Sequence, residues 1–423
     1  MATLPTLPDY IALEHDVQRI LTRQELHGWQ FDRESAWQLA FTLSEQLRHI
    51  EELLRNRYPY VAGPEFTPKR ANRRTGYVEG ATFTRLKELN TSSRDHIAWI
   101  LQTYHGWNPT QMTATGKPII DEVILKEIGT ETSDMFLQIL TIKKMLGMIQ
   151  DGDNAWLRLC TNANRIHHHC SVATNTHRCA HRRPNLGQTP SDPRFRALFI
   201  PTPGQLMVGA DLSGIELRML AHYLSRYDGG RYAKILLEGD IHQVNADKIG
   251  ISRRQVKTVT YAFLYGAGDE KIGHSFDAQL STAKAKRKGK EIRAAYIDAV
   301  EGLGRLLDNI KKAAERGYIK SIDGRKIEVD STHKALNFCL QSGAATIAKR
   351  WMVINDQKMK DLKLCASQLG FIHDELQFEC DPGHADDLCS SLVYSACEAG
   401  EYYNMRIRID AEATKGINWS ETH

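Results

Sequence analysis

In residues 10–27 the apolar positions are Leu13, Val17, Ile20 and Leu21, the spacing of one helix face, and Gly28 stops the run. Asp32 then stands where a helix N-cap belongs, ahead of Ala36, Leu39, Leu43, Leu47, Ile50 and Leu54. A second, longer helix is predicted there, and two long helices joined by a short turn are expected to pack antiparallel. Further along the chain the period changes. Residues 206–210 are a short apolar run that reads as a buried strand, with Asp211 at its end and a helix over 215–224 behind it. Residues 369–372 and 376–378 read as the strands of a hairpin with His373, Asp374 and Glu375 at the turn. Between these blocks, Ser252 followed three residues later by Gln255 is a capping box that starts a helix, which Gly266 and Gly268 should end.

Both apolar strands thus deliver an aspartate. Two strand-end carboxylates can share a pair of divalent ions, which stabilise the attacking and leaving oxygens of an in-line displacement at phosphorus. Magnesium suits such a site because it uses few carboxylates and fills its shell with water and phosphate oxygen. Either aspartate alone reads equally as a loop residue or an N-cap, so the helix between them carries the weight. There Arg253, Lys257, Tyr261 and Tyr265 step by four along one face. Two cations followed by two aromatics suit a nucleoside triphosphate, with the cations on phosphates and the rings on sugar and base. A plain amphipathic surface helix accounts for the cations but gives the two tyrosines and the glycine stop no reason.

Together these blocks resemble motifs A, B and C of family A DNA polymerases, the group of bacterial DNA polymerase I, and most of all the replicative polymerases of T-seven-like phages. Motif A corresponds to Asp211–Arg218, motif B to Arg253, Lys257, Tyr265 and Gly266, and motif C to His373-Asp374-Glu375. The likeness extends to Gly239-Asp240-Ile241-His242, to the stretch from Leu264 to Gly273, and to Asp323-Gly324-Arg325-Lys326. It also takes in Ala335-Leu336-Asn337 with Gln341-Ser342, Thr176-His177-Arg178 with Pro184-Asn185-Leu186, and the tail from Asn418 to His423. It covers the chain from about Tyr10 to the C-terminus.

The resemblance implies an α+β, right-hand polymerase with a helical thumb, an antiparallel-sheet palm and helical fingers. Its boundaries would be thumb 1–155, palm 156–228 with 322–423, and fingers 229–321. It implies two magnesium ions, replaceable by manganese, on Asp211, Asp374 and the Leu212 carbonyl, with Glu375 accessory. Arg253, Lys257 and His242 would hold the triphosphate, and Lys257 would also serve as acid for departing pyrophosphate. Tyr261 would stack on the incoming sugar and base, Tyr265 would back the templating pair, and Glu216 would exclude a 2′-hydroxyl. Arg178 and Gln341 would read the minor groove, and Asn185, Asn337 and His373 would touch primer or template. Three positions depart from the family pattern. His333 stands where Arg is frequent, so it is assigned no DNA contact. Ala262 replaces a motif B glycine. His177 replaces the middle glycine of Thr-Gly-Arg, a place where φ above zero can be needed, which puts the setting of Arg178 in question.

The implied partners are primer-template DNA and dNTPs, for a monomer in the cytoplasm of an infected host. The first helix pattern begins almost at Met1, so a proofreading exonuclease, like any processivity factor, is expected to be a separate protein. Residues 55–91 are too few for the insertion with which the phage relative recruits thioredoxin, so thioredoxin is not expected to act. Their Lys69, Arg70, Arg73 and Arg74 read as a mobile basic loop that could touch DNA backbone.

Composition constrains less. The 423 residues suffice for more than one domain, and a net charge of +4 is only mildly basic, as a chain with a basic groove requires. Eight cysteines without a CxxC pair point to reduced thiols, and no signal peptide or membrane-length apolar run is present. His167-His168-His169-Cys170 with His177, Cys179 and His181 has zinc-ligand chemistry, but its spacing matches no closed structural site. Two other functions share part of this pattern. A single-subunit RNA polymerase has the same palm and aspartates but would need room for the 2′-hydroxyl that Glu216 denies. A non-catalytic DNA-binding replication subunit would have no reason to keep Asp211, Asp374, Arg253 and Lys257.

Overall fold

The computed structural model describes residues 7–172, 174–277 and 280–423. They divide into two compact units, residues 1–35 with 158–423 and residues 36–157. Helix α1 (Asp9–His27) belongs to the first, with Leu13, Val17, Ile20 and Leu21 buried. Helix α2 (Arg33–Arg57) starts from Asp32, whose Oδ1 accepts the Ser35 N–H at 2.9 Å, and leads into the second unit. α1 lies in the first unit and most of α2 in the second. Trp29–Phe31 between them is a strand rather than a turn. It pairs with Arg165–Ile166 and Phe199–Ile200 and buries both of its aromatic rings.

The second unit continues with β1 (Tyr60–Phe66), β2 (Phe83–Glu88), α3 (Arg94–His105) and α4 (Glu131–Leu146). Leu54, Ile97, Leu101, Phe136 and Ile139 are buried in its core. The stretch read from sequence as a basic loop is an antiparallel ribbon of β1 and β2. Phe66, Tyr77 and Phe83 give the ribbon an apolar cluster that a solvated loop lacks, and the Arg85 guanidinium lies 3.8 Å over the Phe66 ring. Lys69, Arg70, Arg73 and Arg74 are exposed.

The first unit holds a hairpin of β3 (His169–Ser171) and β4 (Ala180–Arg182) and a four-stranded antiparallel sheet. The sheet is built from β5 (Leu206–Leu212), β6 (Ala366–Ile372), β7 (Glu375–Cys380) and β8 (Ala411–Gly416), in the order β6-β7-β5-β8. Helices follow in the order α5 (Ile215–Asp228), α6 (Ile241–Ile249), α7 (Arg253–Leu264), α8 (Asp269–Phe276), α9 (Thr282–Ala299), α10 (Ala335–Asp361) and α11 (Ala385–Tyr402). Every residue of β7 is buried, the signature of a strand covered on both faces. The C-terminal segment closes over β5 so tightly that a Cβ on Gly209 would lie 2.2 Å from the Thr422 carbonyl oxygen. α1 packs on α10 and β6, and Glu14 reaches the fully buried Lys349 at 2.7 Å and also Arg325. α8 and α9 meet backbone to backbone, since a Cβ on Gly289 would lie 1.7 Å from the Asp269 carbonyl oxygen.

The histidine and cysteine cluster stays partly together, with Cys170 Sγ 3.4 Å from His181 Nδ1, yet among the described residues no three of its members converge to hold a metal. His168 Nε2 accepts a hydrogen bond from Gln24 at 3.2 Å, His169 pairs with Glu25 at 2.9 Å, and His177 bonds Ser342 at 2.8 Å. Burial pushes His168 down to about 3. His222, whose Nδ1 accepts the Arg406 N–H at 3.1 Å, falls to about 4 through burial and the nearby Arg406 and Arg226. Both rings are therefore held neutral as acceptors. Because their folded values lie below the ordinary 6.5, the unfolded chain takes the proton first. The stability is fully present above pH 6.5 and is lost as pH falls toward 4, at up to about 1.4 kcal/mol per pH unit for each ring. Thermal unfolding followed from pH 7 to 4.5 should show Tm falling, with a shallower fall in the double variant His168→Gln, His222→Gln. Parallel slopes would reject the assignment.

Candidate active site

β5 ends by presenting Asp211 opposite Glu375 of β7, and the Leu212 N–H donates to the Asp374 carbonyl at 3.1 Å. The turn between β6 and β7 is only His373 and Asp374, and His373 takes a φ of 62° to make it. The two aspartates are thereby fixed side by side at neighbouring strand ends. Burial and then the Glu375 charge push Asp211 up to about 6, while burial and then the Asp211 charge push Asp374 up to about 7. Neither carboxylate has a hydrogen-bonding cation among the described residues. Glu375 is committed elsewhere, accepting from Trp419 Nε1 and Gln377 Nε2 at 2.6 Å and pairing with His423 Nδ1 at 2.8 Å. Among the described residues no third Asp, Glu, His or Cys completes a side-chain trio with the pair. A cation here would take two crowded carboxylates and complete its shell with backbone, water or phosphate oxygen, a donor set that fits magnesium.

At the second residue of α5, Glu216 accepts hydrogen bonds from Arg178 Nη2 at 2.9 Å and from the Tyr265 hydroxyl at 2.8 Å. Arg178 follows His177, which occupies the left-handed region with φ 64° and keeps the backbone a glycine would adopt. The His177–Ser342 bond and a 2.6 Å bond from Thr174 Oγ1 to the Arg178 carbonyl hold this loop. Tyr265 lies just past the end of α7, so only Arg253, Lys257 and Tyr261 share its helical face. The chain turns at Gly266, with φ 70°, and swings the Tyr265 hydroxyl back to Glu216. Burial, followed by Glu216, pushes Tyr265 up to about 12.

At the start of α7 both hydrogen bonds of the Ser252–Gln255 capping box are formed. Arg253 and Lys257 are exposed one turn apart, and Arg253 Nε donates to Asp240 at 2.6 Å. Asp240 also caps α6, which carries His242, buried and with its ring 6.2 Å from that of Tyr261. The Tyr261 hydroxyl is raised by burial and then by the Glu216 and Asp374 charges, so this ring joins the cationic part of the site to the carboxylates.

The candidate nucleic-acid contacts are spread along the same cleft. Asn185 and His373 converge on Gly187, where a Cβ would lie 3.3 Å from Asn185 Oδ1 and from His373 Nε2. Gln341 is half-buried on α10. Asn337 is buried and donates to the Leu264 carbonyl at 2.8 Å, so its amide is already engaged in tying α10 to the end of α7. Two contributors carry no local signal in sequence. Arg293 of α9 binds Asp269 at 2.6 Å and the Ala267 carbonyl, bracing the loop after α7. Asp240 caps α6, and nothing local marks it as the partner of Arg253 thirteen residues on.

Residues 67–421 match the description DNA polymerase family A. The chain is 31% identical to the DNA-directed DNA polymerase of Enterobacteria phage T3 over 98% of its own length and 70% of that protein. It is equally similar, over the same shares, to the DNA-directed DNA polymerase of Escherichia phage T7. Its fold is similar to the POL domain of Pol1 from M. smegmatis in complex with DNA primer-template and dNTP. That likeness has a TM-score of 0.78 and 23% identity over 97% of this chain and 70% of that one.

Proposed function

This chain belongs to DNA polymerase family A, and from that premise we propose that it extends a DNA primer on a template strand with dNTPs, serving phage DNA replication. The observation that carries the proposal is the pairing of Asp211 with Asp374 at adjacent strand ends, facing a helix that offers Arg253, Lys257 and Tyr261. On this reading the four-stranded sheet is the palm, the helices within 229–321 are the fingers, and residues 36–157 supply most of the thumb.

Two magnesium ions held by Asp211, Asp374 and the Leu212 carbonyl would supply the positive charge that an in-line displacement at phosphorus needs. Arg253, Lys257 and His242 bind and orient the triphosphate. Lys257, exposed and without a hydrogen-bonding partner among the described residues, is placed to give a proton to pyrophosphate. Tyr261 takes the sugar and base, and Tyr265 sits behind the new pair. Arg178 and Gln341 face the minor groove, and Asn185 and His373 meet the strands near the primer terminus. Asn337 acts on them through the end of α7. Glu375 supports the aspartate pair from the buried network of the C-terminal segment.

Glu216 selects the sugar. Two hydrogen bonds to one carboxylate oxygen leave it little freedom to move aside for a 2′-hydroxyl. Primer extension in magnesium should therefore proceed with dNTPs and stall with rNTPs, and absence of dNTP extension would reject the function. Glu216→Ala should reduce the dNTP-to-rNTP ratio of kcat/KM by about a hundredfold, the scale set by removing a close steric and polar barrier. An unchanged ratio would remove Glu216 from this role.

A further inference from the structure

We infer that Asp240 is a positioning residue for the triphosphate, acting through Arg253; this rests on the reading of Arg253 and His242 as triphosphate contacts. One carboxylate serves the starts of two helices. Its Oδ1 accepts the N–H groups of His242 at 3.0 Å and Gln243 at 3.1 Å, which fixes the first turn of α6. Its Oδ2 accepts Arg253 Nε at 2.6 Å, which ties that turn to the first residue of α7. Both anchored residues are ones that would touch phosphate. Nε is the inner nitrogen of the guanidinium, so this side-on bond leaves the outer Nη1 and Nη2 fork for bidentate contact with phosphate oxygens. The His242 ring is set by the same clamp, and its buried Nδ1 has no partner among the described residues. That leaves a donor or acceptor ready for a ligand.

The sign of the effect separates orientation from charge. Asp240 is a carboxylate near a polyanion, so Coulomb's law alone says that neutralising it tightens dNTP binding. Orientation says the reverse. Asp240→Asn keeps an N-cap of equal quality but sets an amide N–H against Arg253 Nε, a donor facing a donor. Arg253 is then released to the many rotamers of a solvated side chain.

The test is single-nucleotide incorporation of dTTP by the full chain on one primer-template. Equilibrium dTTP affinity is measured in parallel on the same duplex with a dideoxy-terminated primer. For Asp240→Asn, KM and the dissociation constant should both rise roughly fivefold, with kcat within about twofold, the scale of one exposed charge pair. In an Arg253→Ala background the same change should raise neither constant further, leaving at most the slight tightening that the lost negative charge gives, as expected when one residue acts through the other. Asp240→Ala, which also loses the cap, should lower Tm where Asp240→Asn does not. Arg253→Ala raising KM while Asp240→Asn leaves it unchanged or lowers it overturns the positioning role, reducing Asp240 to a cap or a competitor. Arg253→Ala leaving KM unchanged overturns the triphosphate site itself, a different and prior failure.

Discussion

Asp374→Asn and Asp211→Asn should each lower primer extension by on the order of a thousandfold, while primer-template affinity stays within about threefold. Among the described residues the two carboxylates are the only side chains placed to share a cation at the strand ends, and an amide in either place halves the negative charge available. Affinity for duplex DNA generally comes chiefly from phosphate contacts, which neither aspartate makes on the proposed reading. Misfolding is not a competing explanation here. Burial, with Glu375 repelling Asp211 and Asp211 repelling Asp374, pushes the two groups up to about 6 and about 7, so folding holds them at a cost. Making one neutral relieves that repulsion, and the variants should unfold at the same temperature as the parent or above it when no metal is added. Rapid-quench extension, filter binding of the duplex and thermal unfolding together test the assignment. Extension within tenfold of the parent in either variant would reject the shared-cation site.

The site was legible in sequence wherever its parts are local. An apolar strand ending in Asp211, a hairpin turn bearing Asp374 (drawn one residue too long, since Glu375 already belongs to β7), and a capping box setting the phase of Arg253, Lys257 and Tyr261 are all written within a dozen residues of themselves. What stayed hidden is pairing over distance. Glu375 is held by Trp419 and His423, more than forty residues on, and Asp240 by an ion pair across two helix starts. Short irregular elements were hidden as well. Trp29–Phe31 is three residues long, too short to show strand alternation. The ribbon of β1 and β2 was masked because its register slips between Ala62 and Glu65, around Gly63 and Pro64, which breaks the period that would have announced it. His177 shows a third limit. A histidine at a glycine position signals doubt about the backbone, and only the structure shows that the left-handed conformation is retained and secured through Ser342.

Tyr261→Phe should make the enzyme discriminate against dideoxynucleotides, which the parent should accept well. In the family this helix position is Phe or Tyr. With Phe, the incoming 3′-hydroxyl provides a needed contact to its own phosphate, so a nucleotide lacking it is penalised. With Tyr, the ring hydroxyl lies where the missing group would have been and can restore the bond. The structure supplies what that account requires. The ring is half-buried against His242, its hydroxyl is within the field of Glu216 and Asp374, and that hydroxyl has no hydrogen-bonding partner among the described residues. If Tyr261 served only to pack α7, its hydroxyl would be idle and phenylalanine would be nearly silent, because the ring is kept. A lost hydrogen bond to a charged group is worth about 1.5–3 kcal/mol, so the ddTTP-to-dTTP ratio of kcat/KM should fall by roughly ten- to a hundredfold or more in the variant. Both proteins are compared on one primer-template with both nucleotides. Equal ratios would mean that Tyr261 faces away from the sugar. Lys257 and Arg253, which share its helical face, would then lose their places on the triphosphate with it.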